Sequence, residues 1–248
     1  MSVTALSISG LKKSFDKPVI STLDITIQPG EFYALLGPNG AGKTTILRMI
    51  AGLLVPDAGQ IEIFGFDTQK ASLSARRITA WVSDEPMIYD RLTPLEYLDF
   101  IAGLWEIDAE TARNRANELL DWLDMSANAN KLCGGFSKGM MQKVALAGAL
   151  VHNPQLIILD EPLTGLDAGS AHKVKDLLRE RVNAGNTVIM TTHILEVAER
   201  MAERIGVLNG GTLVAEGTLQ ELRALQGKGN SSLEEIFLNL VSSETEAV

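Results

Sequence analysis

One segment of the sequence has residue types and spacing suited to binding a chain of phosphates. Residues 37–44 read Gly-Pro-Asn-Gly-Ala-Gly-Lys-Thr and match the pattern G-x-x-x-x-G-K-[ST]. Glycines let backbone N–H groups wrap around phosphate oxygens, and a helix that begins at such a loop adds partial positive charge. This segment, called the phosphate loop below, predicts a site for a nucleoside triphosphate with Mg²⁺.

The pattern also assigns a role to individual side chains of the loop. Lys43 is predicted to act on the β- and γ-phosphates as a catalytic residue, and the Thr44 hydroxyl is predicted to bind the metal. The residues expected to contact the nucleotide are Gly37, Pro38, Asn39, Gly40, Ala41, Gly42, Lys43, Thr44 and Thr45.

Two further segments place polar side chains after apolar runs. Asp160 and Glu161 follow the run 156–159, and His193 follows the run 187–192. Carboxylates at the carboxyl edge of a parallel sheet lie beside a bound ligand, so Asp160 is suited to the Mg²⁺ shell and Glu161 to accepting a proton from an attacking water. From its position alone, His193 fits an ordinary surface residue as well as one that orients water near the γ-phosphate.

Hydrophobic periodicity predicts the elements that position these residues. Apolar or alternating strands are interspersed with helical patterns, which indicates βαβ units and a parallel sheet. The predicted strands are 5–10, 23–28, 31–37, 60–64, 156–159 and 187–190, and the predicted helices cover 45–51, 94–125, the segment after residue 137, 168–182 and 194–202.

The amino-acid composition excludes several classes of protein. The 248 residues carry a net charge of −9, which disfavours sequence-independent binding to nucleic acid. Cys133 is the single cysteine, which excludes a disulfide framework. No apolar run approaches a membrane span, and the first residues lack the pattern of a signal peptide, so we expect a cytoplasmic protein.

Together these motifs resemble the ATP-binding cassette (ABC) family, specifically the nucleotide-binding subunit of an export-type ABC transporter with a separate membrane subunit. The resemblance covers roughly residues 3–217. It includes residues 136–140, Phe-Ser-Lys-Gly-Met, at the place of the family's signature L-S-G-G-Q, and residues 164–167 at the place of its D-loop. His193 stands at the family's switch histidine, and Phe15 stands where an aromatic residue stacks on adenine.

The resemblance implies how the chain works. Ser137 and Gly139 would contact the γ-phosphate of ATP held by a second cassette, because two cassettes sandwich two ATP molecules in a two-fold arrangement. Asp167, in the D-loop, is a further expected nucleotide contact. The implied partners are a second nucleotide-binding subunit, in a homodimer, and an integral membrane permease, with no nucleic acid. ATP hydrolysis would power substrate translocation, and the chain would lie at the cytoplasmic face of the membrane through its membrane partner.

The sequence departs from the family pattern at two places. Lys138 and Met140 replace glycine and glutamine in the signature, and Asp84 replaces the Q-loop glutamine. A carboxylate can still meet Mg²⁺ or its water, so Asp84 joins Thr44 and Asp160 in the predicted metal set.

The implied fold is an α/β P-loop NTPase core with a parallel sheet, an N-terminal antiparallel β subdomain and an inserted α-helical subdomain. We predict an ATP-binding domain over residues 1–227, with the helical sub-lobe at about 84–152, and a C-terminal helix and tail over 228–248. In that last part, Ser232 and Glu235 form a predicted capping box, and the helix packs on its own domain or binds a partner.

Two other functions compete with the transporter subunit. The first is a soluble ABC ATPase that serves a non-membrane machine, such as a cofactor-assembly scaffold or the ribosome. The sequence has neither the two cassettes of translation-type members nor the long heptad insertion of chromosome-type members. The second is a GTPase or small-molecule kinase, which would leave the signature unexplained and which lacks an N-K-x-D guanine motif.

Overall fold

The computed structural model describes residues 3–225 and 231–242, and its strands join in a single sheet. These strands are β1 (Leu6–Ser14), β2 (Pro18–Ile27), β3 (Phe32–Leu36), β4 (Ala58–Ile63), β5 (Phe66–Asp67), β6 (Thr79–Val82), β7 (Leu156–Asp160), β8 (Thr187–Thr191), β9 (Arg204–Asn209) and β10 (Thr212–Gly217). Their order across the sheet is β5-β4-β1-β2-β10-β9-β3-β8-β7-β6.

One half of the sheet is parallel and carries the predicted functional segments. Strands β9, β3, β8, β7 and β6 are neighbours in this half and all run in the same direction. Every residue of β3, β7 and β8 is buried, as expected for parallel strands covered on both faces. The carboxyl ends of β3, β6, β7 and β8 therefore meet at one edge, where the chain continues into the phosphate loop, Asp84, Glu161 and His193.

The other half of the sheet is antiparallel, as the family resemblance implied. Strand β1 pairs with β2 and with β4, and β4 pairs with β5. This part is continuous with the parallel half, because β2 and β10 are joined through the pair Thr22 and Thr212. The mixed sheet and its helices confirm the predicted α/β fold class.

Helices cover both faces of the parallel strands. They are α1 (Lys43–Ile50), α2 (Ser72–Arg77), α3 (Pro94–Leu104), α4 (Ala109–Trp122), α5 (Lys138–Leu150), α6 (Ala168–Asn183), α7 (Leu195–Met201), α8 (Leu219–Leu225) and α9 (Leu233–Ser242). Short 3₁₀ turns at Ser126–Asn128 and Cys133–Gly135 separate α4 from α5. None of the helices in the described ranges combines the length and apolar character that a membrane span requires.

The helical pattern predicted over residues 94–125 forms two helices. Thr93 and Glu96 make a reciprocal capping box that begins α3. Glu106 then takes a left-handed backbone with φ 58°, which ends the first helix. The Asp108 side chain accepts a hydrogen bond from the Thr111 N–H and begins α4. Helices α3, α4 and α5 contribute buried residues to one apolar cluster with β7, so this part of the chain lies directly against the parallel strands.

The C-terminal helix packs on the body of the molecule. Leu233 and Ile236 of α9 join a buried cluster that includes residues of β9 and α8. The Ser232 hydroxyl accepts the Glu235 N–H at 3.2 Å, which is one of the two bonds of the predicted capping box. The predicted domain boundary at residue 227 and the tail from residue 243 lie outside the described residues.

Candidate active site at the carboxyl edge of the sheet

The phosphate loop joins β3 to α1 and depends on glycine at particular positions. A Cβ atom at residue 37 would lie 2.5 Å from the Leu208 carbonyl oxygen. Gly42 has φ 104° and stands at the N-cap of α1, where no side chain caps the helix. The first backbone N–H groups of α1 are therefore left for another acceptor at the mouth of the loop.

Lys43 lies within the curve of the loop. Its Nζ atom donates hydrogen bonds to the carbonyl oxygens of Gly37 at 2.6 Å and Pro38 at 3.1 Å. Burial lowers the pKa of Lys43, and the carboxylates of Glu161 and Asp160 oppose that shift. The ammonium is thus held beside the loop with two carboxylates nearby.

A cavity of about 390 Å³ opens at this edge of the sheet. It brings together the phosphate loop and three acidic residues that the sequence analysis had placed in the metal and catalytic sets. The lining residues are Val19, Asn39, Gly40, Ala41, Gly42, Lys43, Thr44, Thr45, Asp84, Asp160 and Glu161.

A buried threonine connects the two carboxylates at the end of β7. The Thr191 hydroxyl donates to Asp160 Oδ1 at 2.6 Å and accepts the Glu161 N–H at 3.1 Å. Thr191 is fully buried and Asp160 is 4% exposed, so the Asp160 carboxylate has little freedom to turn. Glu161 has a left-handed backbone with φ 49°, an unfavourable conformation that directs the chain out of the strand.

Glu161 also contacts the predicted switch histidine. The Oε2 atom of Glu161 accepts from the His193 ring nitrogen Nδ1 at 2.7 Å and from the His193 backbone N–H at 3.3 Å. The carboxylate side chain is 18% exposed and the imidazole 63% exposed. The histidine therefore stands on the solvent side of a carboxylate that faces the cavity.

The acidic residues fit a Mg²⁺ ion that arrives with phosphates. Asp84 Oδ1 is buried and has no hydrogen-bond partner among the described residues, so one oxygen is available to a cation or its water. The described part of the chain contains no cluster of three His, Cys, Asp or Glu side chains that could hold a metal alone. The Asp84 and Asp160 carboxylates and the Thr44 hydroxyl of the cavity lining suit Mg²⁺, which proteins commonly bind through one or two carboxylates together with substrate phosphates.

Besides Gly37 and Pro38 at the start of the phosphate loop, four predicted nucleotide contacts lie outside this cavity lining. Phe15 is 60% exposed between β1 and β2, with Lys13 Nζ 5.4 Å from the centre of its ring. Ser137 is exposed at the N-cap of α5, where its hydroxyl accepts the Met140 N–H at 3.3 Å.

The other two are Gly139 and Asp167. A Cβ atom on Gly139 would lie 2.8 Å from the Gly165 carbonyl oxygen of the same chain. The Asp167 carboxylate caps α6 by accepting from the backbone and hydroxyl of Ser170. The Ser170 backbone hydrogen bond is the main cause that lowers the pKa of Asp167.

Two site residues were missed from the sequence. Thr191 links Asp160 to Glu161, and the only signal was a pair of threonines before His193. Val19 lines the cavity from β2, the strand that precedes β3 and the phosphate loop along the chain. An apolar residue in an alternating strand gives no indication that it will face a ligand.

Comparisons with known proteins agree with this geometry. The ABC transporter family model matches residues 20–164. The chain is 37% identical to the daunorubicin resistance ATP-binding protein DrrA3 of Streptomyces coeruleorubidus, over 92% of this chain and 72% of that protein. It is also 37% identical to a Nod factor export ATP-binding protein of Rhizobium etli, over 90% of this chain and 71% of that protein. The identity to the ABC transporter ATP-binding protein NatA of Bacillus subtilis is 35%, over 89% of each chain.

Solved structures of ATP-binding cassettes are also similar to this chain. An ATP-binding subunit of an ABC transporter superposes with a TM-score of 0.90 at 32% identity, covering 95% of this chain and 99% of the other. A dimeric ATP-binding cassette in a post-hydrolysis state, bound to ADP and phosphate, superposes with a TM-score of 0.79 at 29% identity, covering 86% of this chain and 98% of the other.

Proposed function

Since the chain belongs to the ABC transporter family and is an ATP-hydrolysing subunit of that family, we propose that it powers export through a separate membrane subunit. The observation that carries the proposal is the cavity in which the phosphate loop, Asp160 and Glu161 converge. Export is supported by relatives whose names refer to Nod factor export and daunorubicin resistance. The ATP-binding domain would span residues 1–227, with helices between about 84 and 152 relaying movement to the membrane subunit.

The residues of the cavity have distinct roles in ATP hydrolysis. Backbone N–H groups of the phosphate loop and the Lys43 ammonium bind the phosphates, which offsets their negative charge. Mg²⁺, held by Thr44, Asp160 and Asp84, supplies further charge neutralisation when it is bound. Glu161 accepts the proton of the water that attacks the γ-phosphorus, while the bond from that phosphorus to the β–γ bridging oxygen breaks and ADP leaves. His193 holds the Glu161 carboxylate in position through the hydrogen bond at 2.7 Å.

Two copies of the chain would close around two ATP molecules. Ser137 is exposed at the start of α5, outside the cavity of its own chain, and its neighbouring N–H groups form an anion-binding helix end. In the dimer, Ser137 and Gly139 contact the γ-phosphate held by the second copy, and Asp167 lies at the same interface. Phe15 stacks on the adenine. Loss of the γ-phosphate removes a shared ligand from the interface, so hydrolysis reopens the dimer.

An apolar groove offers a docking surface for the membrane subunit. It has a volume of about 380 Å³ and runs between β6 and the helices α3 and α5. Met87 at its mouth is 94% exposed and Tyr89 nearby is 58% exposed. A cytoplasmic segment of a membrane partner would bury these side chains and place the chain at the cytoplasmic face of the membrane. The apolar lining includes Trp81, Met87, Ile88, Tyr97, Ile101 and Trp105.

Co-purification from solubilised native membranes tests the proposal. The parent chain should retain an integral membrane protein, and Met87→Glu should lose it because a charge then lies in the apolar groove. Leu238→Glu is the matched control, because Leu238 is 58% exposed on α9, away from the groove. Retention of a soluble assembly instead of a membrane protein would favour the alternative in which the ATPase serves a non-membrane machine.

A further inference from the structure

The two departures from the family pattern face each other within one chain. The Lys138 Nζ atom of the signature lies 3.8 Å from Asp84 Oδ1, the atom that has no hydrogen-bond partner among the described residues. Each of the two side chains is 48% exposed, although the Oδ1 atom itself is buried. Lys138 is thus the cation that faces the carboxylate at the edge of the nucleotide cavity.

The position of Lys138 is fixed by the loop that follows Glu161. A Cβ atom on Gly165 would lie 3.3 Å from Lys138 Cδ and 3.4 Å from its Cγ, so the lysine stem rests on that glycine. The first turn of α5 also approaches the loop closely, since a Cβ atom on Gly139 would lie 2.8 Å from the Gly165 carbonyl oxygen. These contacts direct the ammonium from the start of α5 towards Asp84 of the same subunit.

We propose that Lys138 is a positioning residue that neutralises Asp84 in the absence of nucleotide and is displaced from it when Mg²⁺ arrives with ATP. The inference rests on the proposed placement of Mg²⁺ beside Asp84. A divalent ion attracts the carboxylate more strongly than one ammonium does, so the two compete for the same oxygen. Displacement releases a contact that ties the start of α5, and with it Ser137 and Gly139, to the cavity of its own chain.

If Lys138 and Mg²⁺ compete for Asp84, loss of the lysine charge should change the nucleotide affinity in opposite directions with and without the metal. When the lysine charge is removed, Asp84 is free for Mg²⁺, and the Mg²⁺–nucleotide complex should bind more tightly. In EDTA the unneutralised carboxylate repels the phosphates, and the nucleotide should bind more weakly. The affinity ratio is the nucleotide affinity in Mg²⁺ divided by the nucleotide affinity in EDTA. Together these two effects should raise the affinity ratio by roughly two- to fivefold, the size expected for a half-exposed ion pair.

The test measures the affinity of the full chain for a hydrolysis-resistant fluorescent ATP analogue, in Mg²⁺ and in EDTA. The variants are Lys138→Met, Asp84→Asn and the double variant; methionine keeps an apolar stem against Gly165 and removes the charge. Lys173→Met is the matched control, because Lys173 pairs with Asp124 outside the cavity lining. Light scattering of the same samples selects protein concentrations at which the chain is monomeric, so contacts from a second copy do not contribute.

Lys138→Met should raise the affinity ratio in the parent and should leave it unchanged in the Asp84→Asn background, while Lys173→Met should have no effect. A ratio that Lys138→Met leaves unchanged, or raises equally in both backgrounds, overturns the inference. If Asp84→Asn lowers the ratio and Lys138→Met does not change it, Mg²⁺ still lies beside Asp84 and only the role of Lys138 is wrong. If Asp84→Asn itself has no effect, the placement of Mg²⁺ and the inference both fail.

Discussion

The His193 ring nitrogen Nδ1 lies 2.7 Å from Glu161 Oε2, although the two residues follow different strands of the sheet. The backbone N–H of His193 donates to the same oxygen at 3.3 Å. Because β7 and β8 are parallel neighbours with Asp160 paired to Thr191, the residues just beyond each strand end are brought together. The glutamate that faces the cavity is therefore oriented by the next strand.

Replacing His193 should disturb the orientation of Glu161, and so lower ATP turnover, without weakening nucleotide binding. We expect His193→Ala to lower ATP turnover by roughly 10- to 100-fold, because a carboxylate displaced from the water loses that much of its effect. Nucleotide affinity should stay close to that of the parent. His172→Ala is the control, since His172 is exposed on α6 and pairs with Asp176. Parent-like turnover in His193→Ala would show that Glu161 does not need the histidine.

Removing Lys43 should mainly affect nucleotide affinity. Charged hydrogen bonds contribute about 1.5–3 kcal/mol each, so Lys43→Ala should weaken ATP binding by roughly 10- to 100-fold and lower turnover. Titration with a fluorescent ATP analogue measures the effect. The control is Lys70→Ala, since Lys70 is highly exposed and pairs with Asp67 away from the cavity. An unchanged affinity would contradict the assignment of the phosphate loop.

The buried hydroxyl of Thr191 should contribute to stability as well as to the site. Thr191→Val keeps the shape but leaves Asp160 without its donor and the Glu161 N–H without its acceptor. We expect the free energy of unfolding to fall by about 1–3 kcal/mol. Urea denaturation measures the loss, and Thr191→Ser should recover most of it. Equal stability of the valine and serine variants would show that this hydroxyl has no structural role.

His152 should make the fold sensitive to acid. Burial lowers the pKa of His152 to about 4 from 6.5, the Thr79 carbonyl opposes this shift, and Arg115 adds to it. The ring stacks on Trp105 at 4.4 Å. Below pH 6.5 the unfolded chain takes up a proton at His152 and the folded chain does not, which favours the unfolded state. The contribution of neutral His152 to the stability of the fold is therefore complete only above that pH. It is lost as the pH falls towards 4.

Urea denaturation at about pH 7.5 and about pH 5 measures this loss, which should be about 2 kcal/mol for His152 alone. His152→Phe keeps an aromatic ring against Trp105 and cannot titrate. The difference in stability between the two pH values should therefore be smaller in this variant than in the parent by that amount. Equal differences in the two proteins would show that His152 takes up its proton in the folded state as readily as in the unfolded one.

Local patterns in the sequence predicted the parts of the site that depend on neighbouring residues. The phosphate loop is contiguous, and the apolar runs before Asp160 and His193 are long enough to indicate buried strands. Helix α6, predicted over 168–182 and observed at Ala168–Asn183, also follows a local signal. Such segments carry their own periodicity and their own caps, so they could be identified without knowledge of the rest of the fold.

Features that depend on strand register or on distant contacts were not predicted. The bridge from Thr191 to Asp160 exists because those two residues are paired between β7 and β8. The approach of Lys138 to Asp84 depends on how α5 packs on the loop at Gly165. No spacing along the chain encodes either relationship.

Three strands were not predicted because they, too, depend on contacts with distant parts of the chain. Strands β9 and β10, which complete the sheet between its two halves, and the short strand β6 were not predicted. Each is six residues or shorter, and such short apolar runs are ambiguous before their partners are known.

The most direct test of the proposed mechanism is the mass of Glu161→Gln in the presence of ATP, measured by light scattering alongside its turnover. Glutamine keeps the shape of the side chain but cannot accept the proton of the attacking water, so ATP should remain intact and hold two chains together. We expect a dimer with ATP, a monomer with ADP, and turnover lowered by roughly 100-fold or more. Turnover equal to that of the parent would contradict the role of Glu161 as the general base.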